Sequence, residues 1–324
     1  MVPSRTDGAH PWARALREVA QAFALHDLVI LAYQVGMYGL VLGAGSGEAE
    51  RRCARWLFAS WSVLIVACVI GRLDTGLSSR VRTGMYRLVV AGTIVGSYLM
   101  LRDILPLVQP RALDEQLLRL DIALFGVEPT VWLEPYTTPS IVEYFAFFYF
   151  SYFGLLAIYA LVVLGLGLAK DAIGEFAIGG ALVFCVGQLG YVVVPGYGPI
   201  HHLSPVFAGP LEGGFFWRTV LATVESASAM KDIFPSLHTA APVWLAGFAI
   251  RRALLSRSRL WTLAAVVTTF FAINIVISTI VLRWHYVIDV IAGLALAFGA
   301  IWAAPRLAGW ERSTRARHGL AAAW

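Results

Sequence analysis

Long apolar runs, separated by shorter polar stretches, occupy most of the chain. A helix needs roughly 20 mostly apolar residues to cross a bilayer, and about eight runs of that kind are present. Their approximate bounds are 26–44, 56–72, 86–105, 141–168, 173–195, 236–254, 260–282 and 284–304. The pattern predicts an all-α polytopic membrane protein with about eight transmembrane helices.

The polar stretches between the runs differ in length and content. Segments 106–140 and 196–235 are the longest, and both are rich in proline, glycine and aromatic residues, which favours ordered connections with turns. Residues 11–28, PWARALREVAQAFALHDL, are too polar for the core of a signal peptide, and no small-residue cleavage site follows them. We therefore expect residues 1–25 to form an amphipathic helix on the membrane surface, with a frayed terminus as the alternative.

The composition agrees with a bilayer as the solvent, since 59% of the 324 residues are hydrophobic and 14% are charged. The net charge of +5 also resembles that of a nucleic-acid-binding protein, but the arginines are scattered and no nucleic-acid motif is present. Membrane lipids are therefore the expected partners, and nucleic acid is not. Cys53, Cys68 and Cys185 have no obvious pairing, so no disulfide is expected. The oligomeric state is left open.

Positive residues indicate the orientation, because Lys and Arg are retained in loops on the cytoplasmic side. Most of the 25 Lys and Arg residues fall in one set of alternate loops, the set that includes both termini. Both termini are therefore predicted to be cytoplasmic, in a bacterial inner membrane or its equivalent. The start of the sixth run, the end of the seventh and the start of the eighth then face the periplasmic or extracytoplasmic side.

Histidines and a carboxylate stand inside this apolar pattern, where ionisable groups are costly and are commonly functional. His285 and Asp289, in RWHYVIDVIAG, are four residues apart, so a helix would place them on one face within contact distance. A carboxylate that accepts the Nδ1–H of an imidazole fixes the tautomer and leaves Nε2 as a base or nucleophile. A pair that serves helix packing alone is the alternative.

His238 stands at the start of the sixth apolar run. It follows Pro235 and Ser236 in FPSLHTA, a sequence suited to a helix N-terminus. The free N–H groups and partial positive charge of a helix start bind phosphate well. A histidine there can protonate a leaving oxygen, although a lone histidine at this position could equally be an interfacial residue. Because His238 shares the predicted outer face with His285 and Asp289, the three residues together predict a catalytic site.

These two motifs resemble signatures of a known family. PSLH at 235–238, followed by HYVID at 285–289, is similar to the second and third motifs of the type 2 phosphatidic acid phosphatase superfamily, P-S-G-H and S-R-x5-H-x3-D. LDIALFGVEPTVWLE at 120–134 and VPGYGP at 194–199 are most similar to its inositol phosphorylceramide synthase-like branch. The resemblance covers roughly residues 98–304.

The resemblance implies a six-helix catalytic core, formed by the third to eighth apolar runs, and a reaction through a phosphohistidine. In that scheme His285 attacks phosphorus, and Asp289 orients the imidazole of His285. His238 protonates the departing alcohol and later activates the acceptor. No metal or cofactor is implied. The expected division of the chain is an amphipathic segment, 1–25, two peripheral transmembrane helices, 26–97, the catalytic core, 98–304, and a basic cytoplasmic tail, 305–324.

Two departures from the phosphatase pattern change the expected chemistry. Thr279 follows Ser278 where that pattern has arginine, and no K-x6-R-P motif is present, so two phosphate-clamping cations are missing. Phosphoryl transfer still needs electrostatic stabilisation. Candidate phosphate-binding substitutes on the predicted outer side are Lys231, Arg102, Arg283, Ser236 and His201, although the cations could equally snorkel at the interface. A head-group loop, which could close as a lid or form simple turns, is assigned to Gly196, Tyr197, Gly198 and Pro199.

The loss of these cations, as in the phosphorylceramide synthase-like enzymes, favours a lipid phosphotransferase that moves an inositol phosphate-like head group between a phospholipid and an alcohol or lipid acceptor. The alternative is a lipid phosphate phosphatase acting on phosphatidate or on polyprenyl phosphate or pyrophosphate. Two further alternatives are a proton-coupled transporter and a metal-dependent hydrolase, whose ligands would be His201, His202, His238 and His285. The sequence does not specify the lipid or the acceptor.

Overall fold

The computed structural model describes residues 21–73, 76–167, 172–227 and 229–322, and the fold is all-α. Two of its long helices, the sixth and seventh of the list below, each contain a π-helical stretch. Along the described chain the helices are α1 (Leu25–Ala44), α2 (Glu48–Arg72), α3 (Ser79–Val108), α4 (Asp114–Phe125), α5 (Pro129–Leu133), α6 (Pro139–Gly165), α7 (Ile173–Val193), α8 (Pro199–His202), α9 (Phe215–Ala227), α10 (Leu237–Ser256), α11 (Arg259–Val281) and α12 (Val287–Arg317).

Seven of the described helices are long and apolar enough to cross a membrane, namely α1, α2, α3, α6, α7, α11 and α12. This confirms the polytopic membrane class. The remaining predicted span corresponds to α10, which ends in a charged stretch that includes Arg251 and Arg252. Helix α10 packs mainly against α11 and α12, and more than half of its 20 residues are buried. An interior helix needs fewer large apolar side chains, because it faces protein rather than lipid.

Small residues bring α10 and α12 close together at the end of the bundle where both helices begin. Gly293 of α12 lies against Ser236 and Thr239 at the start of α10. The backbone N–H of Ser236 also donates to the carbonyl oxygen of Asp289 at 3.0 Å. Close backbone approach of this kind is common where helices pack in a membrane. The segments that carry the two histidine motifs are therefore held against each other.

Helices α1, α2 and α3 pack on one another and join the rest of the bundle through α7. The hydroxyl of Tyr33 donates to Gln188 of α7 at 2.7 Å. At the opposite end of these helices from the histidine motifs, Arg72 pairs with the buried Asp27 at 2.6 Å, and Tyr86 donates to the same carboxylate at 2.6 Å. A buried charge is tolerated where it is paired and hydrogen-bonded in this way.

Both long polar stretches contain short helices. Helices α4 and α5 connect the end of α3 to the start of α6, and α8 and α9 connect the end of α7 to the start of α10. Acidic side chains fix several of these segments by accepting backbone N–H groups. Glu143, for example, accepts from Gly214, Phe216 and Trp217 at 2.7–3.1 Å and so holds the start of α9 against α6. The short helices form an ordered layer over the histidine end of the bundle.

Observed helix ends depart from the predicted ones where charged residues continue a helix beyond its apolar run. Helix α2 begins at Glu48 instead of near 56, and α12 continues to Arg317, so most of the predicted tail 305–324 is helical. The predicted boundary between 97 and 98 falls inside α3. Hydropathy marks the part of a helix that suits hydrocarbon, and not where the helix ends. Of the predicted amphipathic segment, residues 1–20 lie outside the described residues.

We expect Gly293→Ala to lower the midpoint of thermal unfolding in detergent by several degrees. A Cβ at Gly293 would lie 2.5 Å from the carbonyl oxygen of Ser236 and 3.0 Å from Cβ of Thr239, and overpacking of this kind costs about 1–3 kcal/mol. Gly299→Ala on the same helix is the matched control, because nothing lies within 4 Å of its Cβ position. Equal midpoints for the two variants would contradict the assigned role of Gly293.

Candidate active site

His285 and Asp289 are in contact, but the expectation that one helical face joins them is wrong. His285 lies in the turn before α12, Tyr286 is the N-cap residue and Asp289 is the third residue of the helix. Oδ2 of Asp289 accepts the backbone N–H of Tyr286 at 2.9 Å and lies 3.3 Å from Nδ1 of His285. Both side chains are buried. The carboxylate thus completes the helix N-terminus and orients the imidazole at the same time.

The turn between α11 and α12 fixes the position of His285. Arg283 has a left-handed backbone, with φ of 62°, and this reverses the chain direction after α11. The backbone N–H groups of Trp284 and His285 then both donate to the carbonyl oxygen of Thr279, at 3.0 and 3.1 Å. The imidazole therefore projects from a hydrogen-bonded turn rather than from a mobile loop.

His238 lies in the first turn of α10, as predicted. Its ring packs against Tyr149 and Tyr152 of α6, with ring centroids 4.1 and 4.2 Å away. The centroids of the His238 and His285 rings are 6.5 Å apart. Nε2 of His238 is buried and has no hydrogen-bond partner among the described residues. The two imidazoles are close enough to act on one small group, and one nitrogen of His238 is available to a ligand.

The first turn of α10 contains further buried polar atoms without partners. Ser236 is the N-cap residue, but its side chain makes no capping hydrogen bond. Oγ of Ser236 and Oγ1 of Thr239 are both buried, and neither has a hydrogen-bond partner within the part of the chain that the structure describes. Unpaired polar atoms cost free energy when buried, and they are common where a ligand completes the structure. Their presence at a helix N-terminus suits an anion.

A cavity of about 380 Å³ joins the two histidines to the interior of the bundle. His238, His285 and Trp284 line one end of it, together with His201 and Tyr197 of the predicted phosphate-binding and head-group residues. The lining does not include Ser236, Lys231, Arg102 or Arg283. The structure therefore brings together the histidine motifs and part of the head-group loop, and it places the predicted cations elsewhere.

Each of the three cations has other partners. Nζ of Lys231 donates to the carbonyl oxygens of Pro110 and Gln109 at 2.8 and 3.4 Å. The guanidinium of Arg283 pairs with Glu134 at 3.0 Å. Arg102 is exposed and donates to the carbonyl oxygens of residues 225 and 226 at 2.8 and 2.9 Å. None of the three lines the cavity, so contact with a phosphate at the histidines would require these side chains to move.

The predicted head-group loop is held against the turn that carries His285. The backbone N–H groups of Tyr197 and Gly198 donate to the carboxylate of Asp114 at 2.9–3.0 Å. Gly198 has φ of 83°, and a Cβ there would lie 2.3 Å from the carbonyl oxygen of Trp284. After Pro199 the chain enters α8, which contains His201. Burial lowers the pKa of His201, which therefore stays neutral more readily than an exposed histidine.

Sequence reasoning missed Asp232, a carboxylate at the histidine end of the cavity. Asp232 lines the cavity and accepts a hydrogen bond from the hydroxyl of Tyr98 at 2.6 Å. Burial lowers the pKa of His285 to about 4, and the charge of Asp232 and a backbone hydrogen bond to Ile233 oppose this shift. His285 is therefore neutral at pH 7 and can act as a nucleophile without first losing a proton. The only sequence signal for Asp232 is its place shortly before FPSLH.

Asp121, the aspartate of the LDIALFG segment, caps the start of α12. Its carboxylate accepts the backbone N–H groups of Val287 and Ile288 at 2.6 and 2.8 Å. These are the first two residues of α12, the helix that contains Asp289. Two carboxylates thus share the N–H groups that a helix start leaves unpaired.

The four histidines of the metal-hydrolase alternative do not form a ligand set. His202 is not among the residues that line the cavity with His201, His238 and His285. Within residues 21–73, 76–167, 172–227 and 229–322, no three His, Cys, Asp or Glu side chains converge in a geometry that could hold a metal ion.

Comparison with known proteins gives one match. A family model described as the PAP2 superfamily matches residues 115–303, which is more than half of the 324 residues. The matched range contains His238, His285 and Asp289, and it begins within α4, so α1, α2 and α3 lie outside it. Searches of curated proteins and of solved structures give no significant match.

We expect Asp121→Asn to loosen the start of α12. The amide has one acceptor oxygen in place of a carboxylate that accepts two N–H groups, and a hydrogen bond to a charged group is worth about 1.5–3 kcal/mol. Hydrogen exchange followed by mass spectrometry should show faster exchange at Val287 and Ile288. Glu115→Gln, an exposed change on the same helix, is the control. Unchanged exchange in Asp121→Asn relative to this control would contradict the capping role.

Proposed function

Because this chain belongs to the PAP2 superfamily, a family of phosphatases and phosphotransferases, we propose that it is an integral-membrane lipid phosphotransferase. In the proposed reaction a phospho-head group passes from a phospholipid to an alcohol or lipid acceptor through a phosphohistidine. His285 is the proposed nucleophile, Asp289 its orienting carboxylate and His238 the general acid and base.

The state of His285 supports its role as the nucleophile. Nδ1 faces Oδ2 of Asp289, so the tautomer with hydrogen on Nδ1 leaves the lone pair of Nε2 to attack phosphorus. Burial keeps the ring neutral, as its pKa of about 4 indicates. When Nε2 bonds to phosphorus the ring becomes cationic, and the carboxylate of Asp289 then balances that charge.

His238 supplies and removes the proton in this scheme. As the bond between phosphorus and the lipid oxygen breaks, the protonated imidazole of His238 gives its proton to the departing alkoxide. Neutral His238 then takes the proton of the acceptor hydroxyl, whose oxygen attacks phosphorus and releases Nε2 of His285. The 6.5 Å between the ring centroids leaves room for one phosphoryl group. If water replaces the acceptor, the same steps give hydrolysis, which is the alternative function.

The observation that carries the choice of transferase is the charge at the histidine end of the cavity. Asp232 lines that end, and among the described lining residues the one Lys or Arg is Arg87, at the far end. A phosphodiester carries a single negative charge, whereas a phosphomonoester carries about −1.5 to −2 at neutral pH. The carboxylate of Asp232 therefore repels a phosphomonoester more strongly than it repels a phosphodiester. Phospholipids with a diester head group are therefore the proposed donors, in preference to phosphatidate.

The proposed branch is the inositol phosphorylceramide synthase-like one. The absence of the phosphatase cations from the sequence supports it. The LDIALFG and VPGYGP segments support it too, because Asp121 contacts the start of α12 and Gly198 contacts the turn before that helix. A polyol such as inositol offers hydroxyl donors to Asp232 and to the backbone of the head-group loop. His201 is the phosphate ligand that the cavity favours among the polar residues predicted for that role.

The proposed orientation places the histidine end outside and both termini in the cytoplasm of a bacterial inner membrane or its equivalent. The distribution of Lys and Arg in the sequence supports it. The short helices α4, α5, α8 and α9 would then form an extracytoplasmic layer, while the ends of α2 and α12 that carry Arg72 and Arg315 would face the cytoplasm.

We expect His285→Ala to abolish both turnover and covalent labelling. The purified protein would be given phospholipids labelled in the head-group phosphate, with and without inositol and other alcohols, and products would be identified by mass spectrometry. Label on the wild-type protein should be stable to base and labile to acid. His202→Gln, outside the cavity, is the control and should retain both signals. Label that persists in His285→Ala would contradict the mechanism, and free phosphate as the main product would identify a phosphatase. Solute flux in liposomes would support the transporter instead.

We expect Asp232→Asn to raise phosphatidate hydrolysis relative to phosphodiester turnover by about tenfold, equivalent to about 1.4 kcal/mol. The variant removes the charge but keeps an oxygen that can accept the hydrogen bond of Tyr98. The ratio of the two kcat/KM values is the measurement. Tyr98→Phe, which removes the hydrogen bond and keeps the carboxylate, is the matched control and should leave the ratio much closer to wild type. An unchanged ratio in Asp232→Asn would remove the electrostatic basis for the choice of donor.

A further inference from the structure

The cavity continues far beyond the histidines into the membrane-spanning part of the bundle. Along α6 its lining runs from Tyr149 to Leu164, and along α3 from Tyr98 to Arg87. With a rise of 1.5 Å per residue these stretches are about 22 and 16 Å long. The hydrocarbon core of a bilayer is about 30 Å thick. The cavity therefore extends through more than half of the depth that an embedded lipid chain occupies.

The walls of this deep part are apolar. Three helices contribute most of them, α3 through Val90 and Ile94, α6 through Leu156, and α7 through Phe184. At the far end Arg87 of α3 donates to the carbonyl oxygen of Leu164 on α6, which ties the two helices together. Apart from Arg87 and Gln188, this part of the lining offers few partners to a polar head group, and it matches the surface of a hydrocarbon chain.

An opening to the bilayer lies on one side of the cavity. Val95 and Leu99 of α3 and Phe153 of α6 line the cavity, yet their side chains are 58%, 50% and 42% exposed. A residue that both lines a cavity and faces the surrounding lipid marks the rim of an opening. The rim lies between α3 and α6, in the half of the cavity that is nearer to the histidines.

Helix α3 completes the cavity although it lies outside the range that matches the family model, residues 115–303. Without α3 the channel would be an open groove between α6 and α7. The same helix also contacts the histidine end, because Tyr98 donates to Asp232. Helix α3 is therefore both a wall of the apolar channel and a support for the carboxylate near His285.

We propose that this cavity encloses one hydrocarbon chain of the lipid substrate, with α3 as its outer wall and the rim between α3 and α6 as the passage from the bilayer. The inference deepens the proposed function and rests on it for the identity of the head group. The apolar channel is continuous with the space beside the two histidines. A lipid whose phosphate contacts His285 therefore has its hydrocarbon chain at the mouth of the channel, and this identifies the chain of the substrate as the occupant. The far end at Arg87 then limits the length of chain that fits.

Substitutions deep in the channel test this proposal through chain length. Ala160 lines the cavity on α6, whereas Ala157 of the same helix is exposed and does not line it. Ala160→Phe should reduce kcat/KM for long-chain substrates at least tenfold relative to short-chain substrates with the same head group. Ala157→Phe should leave that ratio at the wild-type value. Helix α3 offers a second pair of variants. Ala91 lines the cavity, so Ala91→Phe should reduce the ratio as Ala160→Phe does. Leu88 is exposed, so Leu88→Phe should leave the ratio at the wild-type value. Equal ratios in lining and exposed variants would overturn the proposal.

A binding measurement separates this proposal from the proposed function. His285→Ala protein in bilayers would be cross-linked to a phospholipid that carries a diazirine at the end of one acyl chain. Cross-links at lining residues such as Val90, Ile94 and Phe184 support an enclosed chain whether or not any substrate is turned over. Cross-links confined to outward residues such as Leu88 and Ile158 would overturn the proposal even if phosphotransfer is observed.

Discussion

The candidate site depends on the contacts that the buried carboxylate of Asp289 makes with the backbone of Tyr286 and the ring of His285. The carboxylate accepts the N–H of the N-cap residue Tyr286 and faces Nδ1 of His285, so one group both begins α12 and sets the orientation of the imidazole. A charge in such a place is costly unless several dipoles stabilise it. The N–H of Tyr286 and the partial positive charge at the N-terminus of α12 supply part of this stabilisation. Asp121 binds the next two N–H groups of that helix. The geometry of His285 is therefore coupled to the formation of the helix itself.

The same kind of contact recurs in the layer of short helices over the histidine end of the bundle. Among the described residues of this layer, carboxylates accept backbone N–H groups more often than they pair with arginines. Asp114 holds Tyr197 and Gly198, and Glu143 holds the start of α9. Backbone N–H groups are fixed in space, so these contacts position segments without immobilising a long side chain. Among the described residues, none of those that line the histidine end of the cavity is Lys or Arg. A phosphate placed there would rely on the N-terminus of α10, on the two imidazoles and on the hydroxyls of Ser236 and Thr239.

The helices could be predicted from the sequence because hydrocarbon imposes a minimum apolar length on every span. Helix α10 shows the limit of that rule, since more than half of its residues are buried against protein. The contact of His285 with Asp289 could also be predicted from their spacing of four residues. The prediction assumed one continuous helix, whereas the structure has a capping turn at this point. Both arrangements bring residues four apart into contact. The partners of Lys231 and Arg283 could not be predicted, since the carbonyl of Pro110 and the carboxylate of Glu134 come from distant segments. Asp232 was missed because an aspartate in a polar connection looks like a solvent-exposed residue.

The carboxylate of Asp232, near the proposed nucleophile His285, bears on which acceptor a phosphohistidine would react with. Water reacts with such an intermediate wherever it is held in line, so transfer requires a site that binds an alcohol better than water. Asp232, fixed by Tyr98, can accept a hydrogen bond from one hydroxyl of a polyol while another hydroxyl meets the phosphoryl group. A water molecule cannot make both contacts at once. The same carboxylate disfavours a dianionic phosphate, and the apolar channel beneath it favours a lipid anchor over a free phosphate ester. Selectivity for the proposed lipid substrate would then come from two features. Asp232 repels a second negative charge on the phosphate, and the channel encloses a hydrocarbon chain of the lipid. These features would take the place of the phosphate-binding cations of the phosphatase pattern.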